Sequence, residues 1–183
     1  MRVDVFSTIH KALRRVLFEL ADELARVELS RTIAIDDVVA RVERVIELLD
    51  EHALLEDECV FPAIRELDPL LADELAQDHR ALLIVQCEVE RIAQELAMAD
   101  LASREHHAHR LAIAVTHLIA LQLLHMNREE TEGNRVLWSG LDDAALLAIS
   151  KRAAARLSPD RAAEWQQLVI AATHDRSVAR RAG

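Results

Sequence analysis

The chain of 183 residues has no tyrosine, only three glycines and only three prolines. Strand turns are built mainly from glycine, proline and asparagine, so a hairpin-rich sheet has little to work with. Alanine, leucine, glutamate and arginine dominate instead, and these are strong helix formers. An all-α fold is predicted. The missing tyrosine also excludes a tyrosyl-radical role. The two cysteines, Cys59 and Cys87, lie far apart and form no CxxC, which argues against a disulfide framework or a zinc ribbon. Both are expected to be small buried hydrophobes of a reducing compartment. No apolar run approaches the roughly 20 residues of a membrane-spanning helix. Arg2 and Asp4 are followed by amphipathic rather than uniformly apolar sequence, unlike a signal peptide. A cytoplasmic location is expected. Positive charge is scarce as well, with 22 basic against 32 acidic residues and a net charge of −10. That balance disfavours nucleic acid or an anionic membrane as partner. One basic cluster, R-S-V-A-R-R-A-G, closes the chain and reads as a solvated tail. There is no Gly-rich phosphate loop, and no hydrolytic triad is suggested.

What is present is helical periodicity. A first segment runs from about Ser7 to Val27 with Leu13, Leu17, Leu20 and Leu24 on one stripe. A second starts near Asp36, a plausible N-cap, and ends near Cys59, before Pro62. A third spans about Pro69 to Met98, and a fourth runs from near Ser103 to Gly133, where T-E-G-N offers a stop. Two shorter segments follow, about Asp142 to Leu157 and Ser158 to His174, the latter opening S-P-D with Ser158 as N-cap. The prediction is an up-down-up-down four-helix bundle over residues 1–133. Residues 134–183 add two C-terminal helices packed on it.

Polar residues interrupt the stripes that should be buried. The second reads Val38, Val42, Val45, Leu49, His52, Glu56, and the fourth reads Ala114, Leu118, Leu121, His125, Glu129. Both interruptions are H-x-x-x-E, a spacing that puts the two side chains on one helix face about 5–6 Å apart at their β-carbons. His10 near the start of the first helix and His79 in the first half of the third also sit on stripes. In an antiparallel bundle these four places meet at one end, so all six residues can share one core layer. Buried carboxylates facing each other require cations between them. Four imidazoles and two carboxylates suit iron, manganese or zinc, and two carboxylates able to bridge favour a dinuclear centre.

These residues resemble the hemerythrin-like family, the HHE cation-binding domains. The family pattern is one His on the first helix, HxxxE on the second, one His on the third and HxxxE on the fourth. His10, His52/Glu56, His79 and His125/Glu129 meet it, and the continuation E-D-E-C-V-F-P is similar to the run that often follows the second motif. The resemblance covers about residues 4 to 133. It implies two iron ions in an oxo- or hydroxo-bridged centre. Glu56 and Glu129 would bridge, with His10 and His52 toward one iron and His79 and His125 toward the other. The oxygen-carrying members have a fifth His, as H-x-x-x-H on the third helix, where this chain has Leu83. His117, about 80° around the helix from His125, is a candidate replacement. Ferritin-like di-iron bundles instead use Glu-x-x-His, the reverse order.

The resemblance implies a non-haem di-iron protein that binds or reacts with oxygen, peroxide or nitric oxide, in sensing, storage or detoxification, with catalase-like activity as one form. The alternatives are an iron- or oxygen-responsive regulatory module, and iron donation or iron–sulfur repair. A small diatomic or peroxide is the expected ligand, and a monomer or homodimer the expected state. Glu51, Asp78 and Glu130 are candidates to accept from the outer imidazole N–H groups. Leu55, Leu82, Leu121 and Met126 are expected to wall the site, Trp138 and Trp165 to pack the C-terminal helices, and Asp57 and Glu58 to face solvent. The trio His106, His107 and His109 falls at the opposite end and is expected to be solvated.

Overall fold

A computed structural model describes residues 2–179, without the side chains of 174–179. The chain forms α1 (Ser7–Arg26), α2 (Thr32–Cys59), α3 (Phe61–Leu67), α4 (Pro69–Met98) and α5 (Arg104–Arg128). A π-helical turn, Glu129–Gly133, leads directly into α6 (Asn134–Gly140), followed by α7 (Asp143–Ala154) and α8 (Pro159–Ala179). The fold is all-helical, with no strand among the described residues. α1, α2, α4 and α5 are neighbours in that cyclic order, the ring of an antiparallel four-helix bundle. α7 packs on α2, and α8 on α1. The closing basic cluster beyond Ala179 and its side chains lie outside the described residues.

Side-chain caps open α4, α7 and α8. The Asp68 carboxylate accepts from the Leu71 N–H at the head of α4, with Pro69 next, and Asp142 accepts from Ala145 N–H to open α7. Ser158 accepts from Arg161 N–H at 3.3 Å to open α8. Three expectations need correction. α2 begins at Thr32 rather than Asp36, because Ile35 is already buried and extends the apolar stripe back by a turn. The fourth helix does not stop at Gly133, whose φ of −58° is helical rather than left-handed. Gly133 is small for another reason: a β-carbon there would meet the Phe6 ring at 3.2 Å. Cys59 is buried as expected, but Cys87 is exposed on the outer side of α4.

Two apolar clusters divide the interior. The larger runs along the bundle through Leu13, Leu17, Val42, Leu49, Val89 and Leu118, and takes in Trp165 of α8. The smaller joins Phe6, Phe61, Ile64, Leu75, Leu137 and Leu146, so that α3, α6 and α7 close one end of the bundle. Between them lies a polar layer.

Candidate metal centre

The polar layer is made of His10, His52, Glu56, His79, His125 and Glu129, each at most 8% exposed. His10 comes from the first turn of α1, His52 and Glu56 from the last two turns of α2, and His79 from the third turn of α4. His125 closes α5, and Glu129 opens the π-helical turn. Such turns are frequent at functional sites. The sequence spacing therefore brings all six together.

The donor atoms fall into two groups. One contains His10, His52, Glu56 and Glu129, the other Glu56, His79, His125 and Glu129, with all atoms of a group within 4.8 Å of one another. Glu56 and Glu129 belong to both. Nε2 of His52 lies 3.1 Å from Glu56 Oε2, and Nε2 of His125 lies 3.2 Å from Glu129 Oε1. Nε2 of His10 stands 3.4 Å from Glu56 and 3.5 Å from Glu129, while that of His79 stands 3.5 Å from Glu56 and 3.9 Å from Glu129. The Nε2 atoms of His52, His79 and His125, Glu56 Oε2 and both Glu129 oxygens are buried without a hydrogen-bond partner. Buried polar atoms without partners are costly and rare. Here they face one another around a common centre, as the donors of bound metal would. Nitrogen and carboxylate oxygen in this ratio suit first-row transition metals. The residues fit a bound metal, as the family resemblance implies.

Carboxylates accept from the outer faces of two imidazoles and stand near a third. Nδ1 of His10 is 2.9 Å from Glu130, and Nδ1 of His79 is 3.0 Å from Asp57. Nδ1 of His125 stands 3.5 Å from Asp78 without a hydrogen bond to it. A carboxylate only accepts, so the Nδ1 atoms of His10 and His79 carry the proton and Nε2 turns inward as a ligand atom. Arginines brace this outer layer: Arg14 bonds Glu130 at 2.6 Å, and Arg128 bonds Asp78 at 3.2 Å. Phe6 stacks on His10 and Phe61 on His79, with centroids 5.7 and 5.0 Å apart.

Two expectations change here. Glu51 does not support His52; it accepts from Arg161 and from the Trp165 indole N–H. Asp57, expected to face solvent, is half exposed, yet its carboxylate turns back to His79. The step of about 100° from the inward-facing Glu56 aims it at α4, the neighbouring helix. Like Glu51, Asp78 and Glu130, Asp57 stands next in sequence to a candidate ligand, and that neighbourhood was the available signal. Asp57→Asn is expected to weaken metal binding 10- to 100-fold, the usual effect of losing such a partner, measured by competition with a chromogenic chelator. His117 is exposed and belongs to neither donor group, as do the exposed His106 and His109 at the far end. Leu55 and Leu121 are partly buried and Leu82 and Met126 fully so. Leu82 and Leu121, with His125, line a cavity of about 310 Å³.

The layer's electrostatics follow from burial and like charge. Burial holds His52 down at about 3, aided by the neighbouring imidazoles against Glu56. Burial also opposes the charge on His10 and His79, but Glu130 and Glu56 lift the first to about 9, and Asp57 and Glu56 lift the second to about 10. Glu56 is held low despite burial, by His52, His10 and His79, whereas burial and the Glu56 charge push Glu129 up. Metal binding requires unprotonated Nε2 atoms, so loading at neutral pH should release about two protons, from His10 and His79. Calorimetric titration in buffers of different ionisation enthalpy counts them. Linkage fixes the sign for the metal-free protein. The His10 and His79 contributions are fully present below pH 6.5, the ordinary value, and are lost as pH rises through 9 and 10. His52 acts oppositely, costing stability as pH falls from 6.5 toward 3.

A four-helix bundle with a buried layer of four imidazoles and two shared carboxylates defines a metal-binding helical domain. The chain matches the family of the hemerythrin HHE cation-binding domain over residues 1–132, and it belongs to that family. No curated protein and no solved structure matches it. Among the described residues, no helix is long and apolar enough to cross a membrane.

Proposed function

We propose that the six residues hold two iron ions, and that the protein binds or reacts with oxygen, peroxide or nitric oxide to sense, store or detoxify it. The observation that carries this reading is the pair of four-donor groups sharing Glu56 and Glu129. A pair of ions explains two buried carboxylates facing one layer better than a single ion does, because each ion then finds two imidazoles and both carboxylates. Bound iron would supply redox chemistry and open positions for a small ligand. The protein's part is to fix the Nε2 atoms of His10 and His79 inward through Glu130 and Asp57, and to keep bulk water out with the apolar clusters on either side. Only four imidazoles are offered, one fewer than in the oxygen carriers that the motif resembles. Reaction with peroxide or nitric oxide is favoured over reversible oxygen carriage for that reason. Stopped-flow spectra of the reduced, iron-loaded protein test the choice. Turnover of peroxide, or a nitrosyl spectrum with fast autoxidation in air, is expected. A long-lived oxygenated form would overturn the preference, and absence of any reaction with all three ligands would overturn the function.

A further inference from the structure

A cavity of about 420 Å³ lies between α1, α2, α7 and α8 and has His52 and Glu56 in its wall. A diatomic needs nothing of this size: a water molecule occupies about 10–15 Å³ of such space, whereas organic-ligand sites span about 300–1,000 Å³. The lining is mainly apolar and includes Ile9, Leu55, Ile149, Leu157, Val169 and the Trp165 ring. Its polar groups are largely committed elsewhere. The Asp4 carboxylate accepts from the backbone N–H groups of Phe6 and Ser7 and from the Ser7 hydroxyl. The Ser150 hydroxyl donates to the Leu146 carbonyl, and the Trp165 indole N–H to Glu51. Thr8 and Gln166 are exposed. Asp4, the charged lining residue that is not a metal donor, is acidic, and no lysine or arginine is among the described lining residues, which disfavours an anionic occupant. Roughly half of the wall, supplied by α7 and α8, lies beyond residues 1–132 of the family match, so it belongs to this chain's own extension.

We propose that this cavity binds a small, uncharged, mainly apolar organic molecule and holds it against the His52–Glu56 edge of the metal-donor layer. That such a molecule would meet a reactive centre rests on the reading given above; the binding itself does not.

Titration of the full, metal-loaded chain with a neutral dye, N-phenylnaphthylamine, tests it. Saturation at a single site per chain is expected, with tryptophan emission falling as Trp165 transfers energy to the dye. The anionic analogue, anilinonaphthalene sulfonate, should bind at least about tenfold more weakly. Ala153→Phe from α7 and Ala162→Phe from α8 each fill the cavity, and each should weaken the neutral dye at least about tenfold with metal content unchanged. The proposal is overturned if either variant, folded by circular dichroism, binds the neutral dye like the parent. It is also overturned if the anionic dye binds as tightly as the neutral one, or if the parent shows no saturable site. Metal analysis of the same samples separates the two claims. A metal-free parent that still shows the dye site loses the metal reading alone, and a metal-loaded parent without it loses the cavity alone.

Discussion

Glu129→Gln is expected to abolish the proposed dinuclear centre and leave the metal-free protein no less stable than the parent. Glu129 is fully buried, its two oxygens have no hydrogen-bond partner, and burial together with the Glu56 charge opposes its ionisation. An amide of the same shape removes that repulsion and that desolvation cost. It also removes an anionic donor from both four-atom groups at once. Metal affinity should fall by more than about 100-fold, beyond the loss expected for an outer carboxylate. Glu56→Gln should lose metal equally but behave oppositely when metal-free. Glu56 faces three imidazoles at 3.1–3.5 Å and stays ionised because of them. Removing its charge leaves protonated His10 and His79 with less compensation, so the metal-free variant should melt below the parent at pH 7. Thermal unfolding of chelated samples reads the contrast. Equal destabilisation by both substitutions would show that the layer is held by ordinary hydrogen bonding.

Removing metal from the parent should lower its melting temperature by roughly 15–30 °C. An ion present at about a thousand times its dissociation constant stabilises the folded state by about 4 kcal/mol, hence about 8 kcal/mol for two. For a chain of this size each kcal/mol moves the transition by about 2–4 °C. The effect is large because the same layer is poorly satisfied without cations, while the bundle on one side and the Phe6–Phe61 cluster on the other keep it buried. Calorimetry of loaded and chelated protein at pH 7 measures it. A shift of only a few degrees would mean that the apolar clusters alone set the stability.

Much of this site was legible in the sequence because a metal layer violates a strong pattern. His52 and Glu56 interrupt an apolar stripe that is otherwise unbroken from Val38 to Leu49, and His125 and Glu129 do the same along α5 and the π-helical turn that continues it. Helix order then placed His10 and His79 beside them without any contact being known. What escaped depends on how neighbouring helices face each other. Asp57 is one residue from a ligand, and whether such a residue meets water or a partner depends on where α4 sits. Glu51 has the same sequence relation to His52, but α8 captures it through Arg161 and Trp165. Gly133 resembled a helix stop because glycine commonly ends helices; its actual demand is close approach to Phe6, a contact 127 residues away in sequence. The cavity beside His52 arises from α7 and α8 docking on α1 and α2, which no single stripe encodes.

On the function proposed above, six residues from α1, α2, α4, α5 and the π-helical turn would hold two metal ions. Metal analysis of protein purified from iron-replete cells, combined with its Mössbauer spectrum, tests this most directly. About two iron ions per chain are expected, giving the signature of a coupled pair that disappears in Glu129→Gln. Half an equivalent or less, or a full complement of metal that survives Glu129→Gln unchanged, would contradict it.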